Sequence, residues 1–375
     1  MSFLTRLFGV KPNGWLATQA LELKRLKAVT TWLGETNGSL GLRGKTADEQ
    51  IHLLNQYLGR RLANCTARER SLIRRQFVVA DRVLPKPIRG TESPKITQAM
   101  QNVLATGCGD LGQTFSEDQI RSIHSNLQGR PVLLCHVPHI SDKAVPSLKD
   151  VPADESYATY EFLDLWSSPH ILEFAAQDSI LDLAQAYLGC TPTLYSVNAF
   201  WSLPNRQPHP YSQLFHRDWE DFRSLVVFTL LTPVDKPEEG AHYYVESSNA
   251  EDKFEATLAG KGVDAADIQI LSGRNNHAIA PVAARLFADN ARRFDGPAGY
   301  SFCGDGYGLH RAVVPYSRPR LLLWFRYGNF YNETMYSTPL RRATKADASR
   351  VLQRIPETPR HRYVFRYLID ALSGV

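Results

Sequence analysis

The pentapeptide FHRDW at 215–219 constrains this chain of 375 residues more than any other stretch. It places His216 and Asp218 one residue apart, shortly before the apolar run SLVVFTLL at 224–231. Side chains of an extended strand alternate between its two faces, so both residues point the same way, about 6–7 Å apart along the backbone. An imidazole and a carboxylate on one face supply two of the ligands that a metal site needs.

A third ligand must come from far along the chain, and His310 in the segment GDGYGLH at 304–310 is the candidate. Two histidines and one carboxylate, with the remaining positions open, form the facial arrangement of non-haem Fe(II) oxygenases. Arg320 follows ten residues beyond His310 and opens the apolar strand RLLLWFRY at 320–327. A histidine followed at this distance by an arginine at a strand start is uncommon by chance. The combination therefore predicts an iron site.

Composition is that of a soluble globular protein, with 43% hydrophobic and 22% charged residues. The five cysteines are scattered and form no CxxC pair, which favours a reducing compartment and predicts a cytoplasmic protein. No apolar run approaches the roughly 20 residues of a membrane helix. The segment FLTRLF at 3–8 could contact a membrane surface as a short basic amphipathic helix, although docking on its own protein is the commoner role of such a helix.

Charge is unevenly distributed along the chain. Residues 1–110 hold 17 Lys/Arg and 8 Asp/Glu, a net charge of +9, whereas the remainder holds 26 and 30, a net charge of −4. This asymmetry favours an anionic or carrier-linked small-molecule substrate, although arginine-rich helix surfaces are also simply well solvated. Nucleic acid is an unlikely partner because no aromatic stacking platform accompanies the basic residues.

Periodicity predicts an α+β fold in which a double-stranded β-helix (a jelly-roll, cupin-like barrel) is flanked by helices. We expect a basic helical region at 1–106 and a joint at the Pro/Gly-rich stretch 85–95. The barrel should occupy 107–340, with a helical insertion at about 250–295, and a helical tail should follow at 341–375. Within the barrel, 142–156 reads as an exposed loop, 171–188 as one helix and 193–203 as an alternating strand.

From about 115 to 327 the chain resembles the phytanoyl-CoA dioxygenase-like family of Fe(II)/2-oxoglutarate-dependent oxygenases. The similar segments begin at 114, 187, 215 and 299, and read TFSEDQIRSIHSNLQGRPVL, YLGCTPTLYSVNAFW, FHRDWEDFRSLVVFTLLTPVDKPEEGAHYYVESSN and GYSFCGDGYGLHRAVVPYSRPRLLLWFRY. The family pattern is HxD…H with an arginine about ten residues after the last histidine. The resemblance implies that His216, Asp218 and His310 bind Fe(II), that Arg320 binds the far carboxylate of the cosubstrate 2-oxoglutarate, and that O₂ takes the last open position.

The chain departs from the family pattern at one point. A hydroxyl residue often follows the distal histidine and shares the cosubstrate carboxylate, but here Arg311 and Ala312 occupy that place. Ser317 or Thr229 is then expected to supply this contact.

Three further residues are candidates for the pocket. Asn198, on the strand before the metal pair, is expected either to contact the cosubstrate or substrate or to be an ordinary polar residue lining the barrel. Trp219 and Arg223 follow the metal pair and are expected to bind the substrate. Because Asp218 keeps the carboxylate that related halogenases replace with a small residue, halogenation is disfavoured.

These features predict an oxygenase that hydroxylates a small organic or carrier-linked substrate and converts 2-oxoglutarate into succinate and CO₂. One alternative is a cupin-like hydrolase or isomerase that uses another divalent metal at the same ligands. A second is a non-catalytic jelly roll that binds a partner through its basic N-terminal region.

Overall fold

The computed structural model describes residues 15–81, 94–136, 139–204, 206–208, 212–332 and 344–373. The candidate membrane-contact segment at 3–8 and most of the joint at 85–95 lie outside these ranges. None of the helices within them is both long and apolar enough to cross a membrane.

Four helices precede the sheet, as the sequence predicts: α1 (Trp15–Trp32), α2 (Ala47–Asn64), α3 (Ala67–Ala80) and α4 (Pro94–Thr106). Helices α2 and α3 each begin with a capping box, in which the Thr46 or Thr66 side chain accepts from the backbone N–H of the glutamate three residues on. Each glutamate in turn accepts from the backbone of its threonine. The backbone N–H groups of the threonine and of the glutamate thereby each gain an acceptor, which fixes where the helix begins.

Eleven strands follow within the described residues, and they form two antiparallel sheets. Their bounds are β1 (Cys108–Gln113), β2 (Val132–His136), β3 (His139–Val145), β4 (Tyr157–Thr159), β5 (Thr193–Ser202), β6 (Ser224–Leu230), β7 (His242–Tyr244), β8 (Arg292–Phe294), β9 (Tyr300–Gly304), β10 (His310–Ala312) and β11 (Arg320–Gly328). The large sheet has the order β1-β9-β6-β11-β5-β4-β2-β3, and the small sheet has the order β10-β7-β8. An isolated bridge between His216 and His310 extends the small sheet on its β10 side.

Side chains from both sheets line one cavity, so the sheets face each other. Phe200 of β5 and Phe228 of β6 reach it from the large sheet, and His242 of β7 and His310 of β10 reach it from the small one. Two facing antiparallel sheets with this crossed strand order confirm the jelly-roll prediction.

Helices cover the barrel at several points. Ser116 caps α5 (Glu117–Leu127), and the expected insertion contains α9 (Glu251–Gly260), α10 (Ala265–Ser272) and α11 (Asn276–Phe287). The C-terminal part holds α12 (Lys345–Leu352), α13 (Pro359–Val364) and α14 (Arg366–Ser373).

The stretch at 171–188, predicted as one helix, follows the short helix α6 (Phe162–Ser167). That stretch is instead α7 (Ile171–Ala175) and α8 (Asp178–Leu188), the latter ended by Gly189 at φ 77°.

The prediction of an exposed loop at 142–156 was wrong at both ends of this range. Strand β3 runs to Val145 and pairs with β2 as a hairpin, and a single 3₁₀ turn follows at Leu148–Asp150. Further along, Glu155 and Ser156 are buried. Few β-branched residues mark this hairpin, so the sequence pattern alone did not reveal it.

One hydrophobic core joins the first helices, the large sheet and the tail, because buried side chains from Trp15 to Leu372 form a continuous cluster. An ion pair inside the protein ties the two ends of this core together. Arg366 Nη2 of α14 lies 2.8 Å from Glu22 Oε1 of α1, and the Tyr363 hydroxyl donates to Glu22 Oε2 at 2.5 Å. Arg25 Nη1 donates to the same Tyr363 hydroxyl at 2.8 Å.

Candidate metal centre

His216, Asp218 and His310 meet at one point between the two sheets. Their ligand atoms all lie within 4.8 Å of one another. His216 Nε2 is 3.6 Å from Asp218 Oδ1, and His310 Nε2 is 3.8 Å from Asp218 Oδ2. Two imidazole nitrogens and one carboxylate at these separations fit Fe(II) and leave positions open for further ligands.

Backbone pairing holds the two histidines opposite each other, although 94 residues separate them along the chain. The His216 N–H donates to the His310 carbonyl at 2.9 Å, and the His310 N–H donates to the His216 carbonyl at 3.1 Å. The Asp218 N–H donates to the Gly306 carbonyl at 2.8 Å, which fixes the third ligand to the segment that precedes His310. The ligands are therefore positioned by main-chain hydrogen bonds rather than by flexible loops.

Both imidazoles are oriented to present Nε2 to a metal. His216 Nδ1 lies 2.8 Å from the Leu214 carbonyl, and His310 Nδ1 lies 2.8 Å from the Gly308 carbonyl. A carbonyl can only accept, so Nδ1 carries the proton and Nε2 keeps its lone pair. Burial lowers the pKa of His216 to about 3, helped by the charge of His310, and burial lowers the pKa of His310 to about 4. Both rings are thus neutral at pH 7 and ready to bind a metal.

Arg326 of β11 supports the carboxylate ligand. Its Nη2 donates to Asp218 Oδ2 at 3.2 Å, and its Nη1 pairs with Glu220 Oε1. The Tyr195 hydroxyl donates to Glu220 Oε2 at 3.2 Å. This buried network holds one Asp218 oxygen beside Arg326 and leaves Oδ1 directed at His216.

Arg320 lines the same cavity as the three ligands and is 3% exposed. Its Nη1 donates to the Gly240 carbonyl at 2.5 Å, and its Nη2 donates to Ser202 Oγ at 2.9 Å. Throughout the described ranges no carboxylate lies within 4 Å of Arg320, and its Nε has no hydrogen-bond partner there. Burial lowers the pKa of Arg320, but a guanidinium keeps its charge in proteins. The cavity therefore contains a fixed cation that no acid among the described residues neutralises.

Hydroxyl groups surround this cation. Ser202 is paired in register with Arg320 across β5 and β11, and the Tyr157 hydroxyl accepts from Ser212 Oγ at 2.9 Å. Burial raises the pKa of Tyr157 to about 12, so its phenol stays protonated. The remaining walls are largely apolar (Phe200, Phe228, Ala312, Leu322 and Trp324), and the cavity measures about 60 Å³.

The two hydroxyl residues that the sequence offered as partners of Arg320 lie elsewhere. Thr229 Oγ1 is 2.6 Å from Ser301 Oγ, on the opposite face of β6 from Phe228, which lines the cavity. Ser317 Oγ donates to Glu239 Oε1 at 2.6 Å, in the turn before β11. Neither lines the cavity of Arg320, because strand alternation points Thr229 away from it into the opposite, buried face of β6, and Ser317 is hydrogen-bonded to Glu239.

The other candidate pocket residues are spread over three places. Asn198 is buried on the same face of β5 as Phe200, and its Nδ2 donates to Ser196 Oγ at 2.7 Å. Trp219 packs edge-on against Tyr307, with ring centroids 4.7 Å apart. Arg223 lines a separate cavity and not the one that holds the metal ligands.

Sequence reasoning missed several residues of the centre, namely Tyr157, Ser202, Ser212, His242 and Arg326. For Ser202 a signal was present, since the alternation of 193–203 puts it on the face of Asn198 and Phe200. Its pairing with Arg320 could not be read from the sequence, because nothing there gives the register between β5 and β11.

No family model matches the chain, and no curated protein matches it. The phytanoyl-CoA dioxygenase-like family therefore stays a prediction.

Among solved structures, the chain is similar at low identity to several proteins, three of which depend on or contain alpha ketoglutarate (2-oxoglutarate). The first is SnoK, a non-heme alpha ketoglutarate dependent carbocyclase from nogalamycin biosynthesis (16% identity, 65% of this chain and 90% of that one, TM-score 0.41). The second is the epimerase SnoN with Fe3+, alpha ketoglutarate and nogalamycin RO (12% identity, 62% and 83%, TM-score 0.41). The third is HygX from Streptomyces hygroscopicus with nickel, 2-oxoglutarate and hygromycin B (12% identity, 61% and 86%, TM-score 0.40).

Proposed function

We propose that this protein is an Fe(II)- and 2-oxoglutarate-dependent oxygenase that hydroxylates a small organic or carrier-linked substrate. Bound iron and 2-oxoglutarate would supply the oxidation of the substrate by O₂, with release of succinate and CO₂. His216, Asp218 and His310 would hold the metal, and Arg320 would hold the far carboxylate of 2-oxoglutarate.

The guanidinium of Arg320 carries this proposal, because it is buried and no carboxylate of the described residues lies within 4 Å of it. Transferring a charged side chain from water into the protein interior costs roughly several kcal/mol, even after the surroundings relax. A counter-charge can offset this cost. A carboxylate arriving with a ligand would provide that counter-charge and could accept two parallel hydrogen bonds from the planar fork. A hydrolase or isomerase that uses the metal and water alone has no use for such a cation, so this observation favours the oxygenase over the other metal-dependent alternative.

The groups around Arg320 support the same assignment. Ser202 already accepts from the guanidinium, and its hydroxyl proton is suited to a carboxylate oxygen. The aromatic walls formed by Phe200, Phe228 and Trp324 exclude water, which strengthens charge–charge interactions inside the cavity. Because the cavity is small, we expect its side chains to move apart when 2-oxoglutarate enters.

The cosubstrate site is tested with Arg320→Lys, which keeps the charge but cannot donate two parallel hydrogen bonds. We expect the dissociation constant for 2-oxoglutarate, measured by calorimetry on Ni²⁺-loaded protein, to rise about 10- to 100-fold, since a charged hydrogen bond contributes about 1.5–3 kcal/mol. Arg318→Lys is the matched control, because Arg318 is exposed and pairs with Asp235. Equal affinity in the wild type and Arg320→Lys would contradict the role of Arg320.

The metal site is tested with His216→Ala in anaerobically reconstituted protein. We expect loss of stoichiometric Fe(II) binding and of succinate release from 2-oxoglutarate. Undiminished iron stoichiometry in the variant would remove the metal assignment. Iron binding in the wild type without any affinity for 2-oxoglutarate would instead support the hydrolase or isomerase.

A further inference from the structure

A second cavity, of about 700 Å³, lies where helix α3 meets the barrel. Its walls come from α3, the end of α4, Tyr187 of α8, the residues before β6 and the start of α9. It shares no lining residue with the cavity of the metal centre. The site argued here is therefore distinct from the cavity of the metal ligands and Arg320.

This second cavity is strongly basic. Five arginines and one lysine line it, against two aspartates (Arg68, Arg70, Arg74, Arg75, Arg223 and Lys253, with Asp252 and Asp305). Asp305 is buried and already accepts from the Tyr187 hydroxyl and from the Tyr307 backbone N–H. Asp252 is exposed to solvent. The described residues that line the cavity therefore carry a net charge of +4, from six basic and two acidic side chains.

Two of these arginines, Arg74 and Arg223, repel each other through their like charges. The Arg223 guanidinium lies 3.9 Å from the centroid of the Tyr187 ring, which fixes it against the cavity wall. Arg74 of α3 is half-buried, and both burial and the like charge of Arg223 lower the pKa of Arg74. Among the described residues, no carboxylate lies within 4 Å of Arg74 or of Arg223. Two guanidinium groups that line one cavity and repel each other are stabilised by an anion that contacts both.

We propose that this cavity binds a small phosphorylated molecule, whose phosphate is held between Arg74 and Arg223. Paired guanidinium groups match the charge and the oxygen geometry of a phosphate dianion. The cavity is far larger than inorganic phosphate, so it has room for an organic part, which Leu104 and Phe222 would contact. The site would also account for part of the basic excess in the first 110 residues.

The proposal is tested by calorimetric titration of the full chain with glycerol 3-phosphate, inorganic phosphate and succinate. We expect saturable binding of glycerol 3-phosphate, weaker binding of inorganic phosphate and little binding of succinate, which carries the same charge. Arg74→Gln and Arg223→Gln should each weaken glycerol 3-phosphate binding about tenfold or more, whereas Arg121→Gln should not. Arg121 is the matched control because it is exposed on α5 and lies outside the cavity.

A fold control accompanies the titration. Thermal unfolding of each variant without ligand shows whether it is folded, and glycerol 3-phosphate should raise the unfolding temperature of the wild type more than that of Arg74→Gln. Absence of binding to the wild type, succinate binding as tight as that of glycerol 3-phosphate, or unchanged affinity in both cavity variants would each overturn the proposal.

Discussion

At the scale of single residues, Asp218 has two roles: it is a candidate metal ligand and it accepts a hydrogen bond from Arg326. Its Oδ2 accepts from Arg326 at 3.2 Å, while its Oδ1 faces His216 at 3.6 Å. A partly buried carboxylate between two neutral imidazoles would be costly without this cation, because a charge withdrawn from water needs a partner. Arg326 therefore allows a charged ligand to exist in a cavity that is otherwise largely apolar.

The metal-free protein should lose stability as pH falls below about 6.5, because burial lowers the pKa of His216 from 6.5 to about 3. Between these values the unfolded state binds a proton that the folded state does not, so the free energy of unfolding decreases with decreasing pH. Above pH 6.5 both states are neutral and this contribution vanishes. We expect the wild type to lose about 2 kcal/mol more than His216→Gln between pH 7.5 and pH 5, as measured by urea unfolding.

The comparison with His216→Gln removes the contribution of the titrating groups that do not interact with His216; its neighbour His310, with ring centroids 4.1 Å apart, is the exception. Identical pH dependence of the two proteins would mean that His216 is solvated and titrates normally. The experiment is done in chelator, since bound metal would add its own pH dependence.

At the residue scale, prediction was possible where spacing alone carries the information. The HxD pair and the distal histidine needed no knowledge of neighbours, and the structure brings all three together. Thr229 shows the limit of this reasoning. Five irregular residues separate Asp218 from β6, so the alternation cannot be carried across them to say which face of the strand meets the cavity.

At the scale of elements, strands with clear alternation or a long apolar run were predictable. Strands β5, β6 and β11 lie within two residues of their expected bounds. Strands β1 and β8 were not foreseen, since one is glycine-rich and the other spans only three residues. Short strands are formed by their neighbours in the sheet rather than by their own propensity.

The turn before β10 should tolerate no side chain at Gly308. A Cβ there would clash with the Tyr244 hydroxyl, and the Gly308 carbonyl is the acceptor that orients His310. We expect Gly308→Ala to weaken Ni²⁺ binding at least about tenfold and to lower the free energy of unfolding by about 1–3 kcal/mol, since overpacking displaces the turn. Calorimetry and urea unfolding measure the two effects.

Gly260→Ala provides the control for that substitution, because Gly260 ends α9 with nothing within 4 Å of the added methyl group. It should leave metal affinity unchanged. Wild-type affinity in Gly308→Ala would show that the turn does not set the orientation of His310.

At the scale of the whole molecule, the first helices and the C-terminal helices form one unit. Glu22 and Arg366, which are 1% and 4% exposed, pair across the core. Part of the positive charge of residues 1–110 thus lies inside the protein, where Arg25 donates to the Tyr363 hydroxyl. Composition revealed the excess, but only the packing of chain ends shows where its charges lie.

Glu22→Gln should lower the free energy of unfolding by about 3–5 kcal/mol, because it leaves the buried Arg366 without its counter-charge. Denaturant unfolding should remain a single transition when followed by tryptophan fluorescence and by circular dichroism. Glu117→Gln, at an exposed ion pair with Arg121, should leave stability nearly unchanged. A loss as small as that of the control, or two separate transitions, would show that the two ends are not coupled.

The pairing of His216 with His310 also determines when the metal site can form during synthesis of the chain. During synthesis, the first two ligands leave the ribosome long before the third, and the site is assembled only once strand β10 has emerged and paired. A nascent chain stalled before that point would hold no iron tightly, so loading with metal would follow, and report on, closure of the barrel.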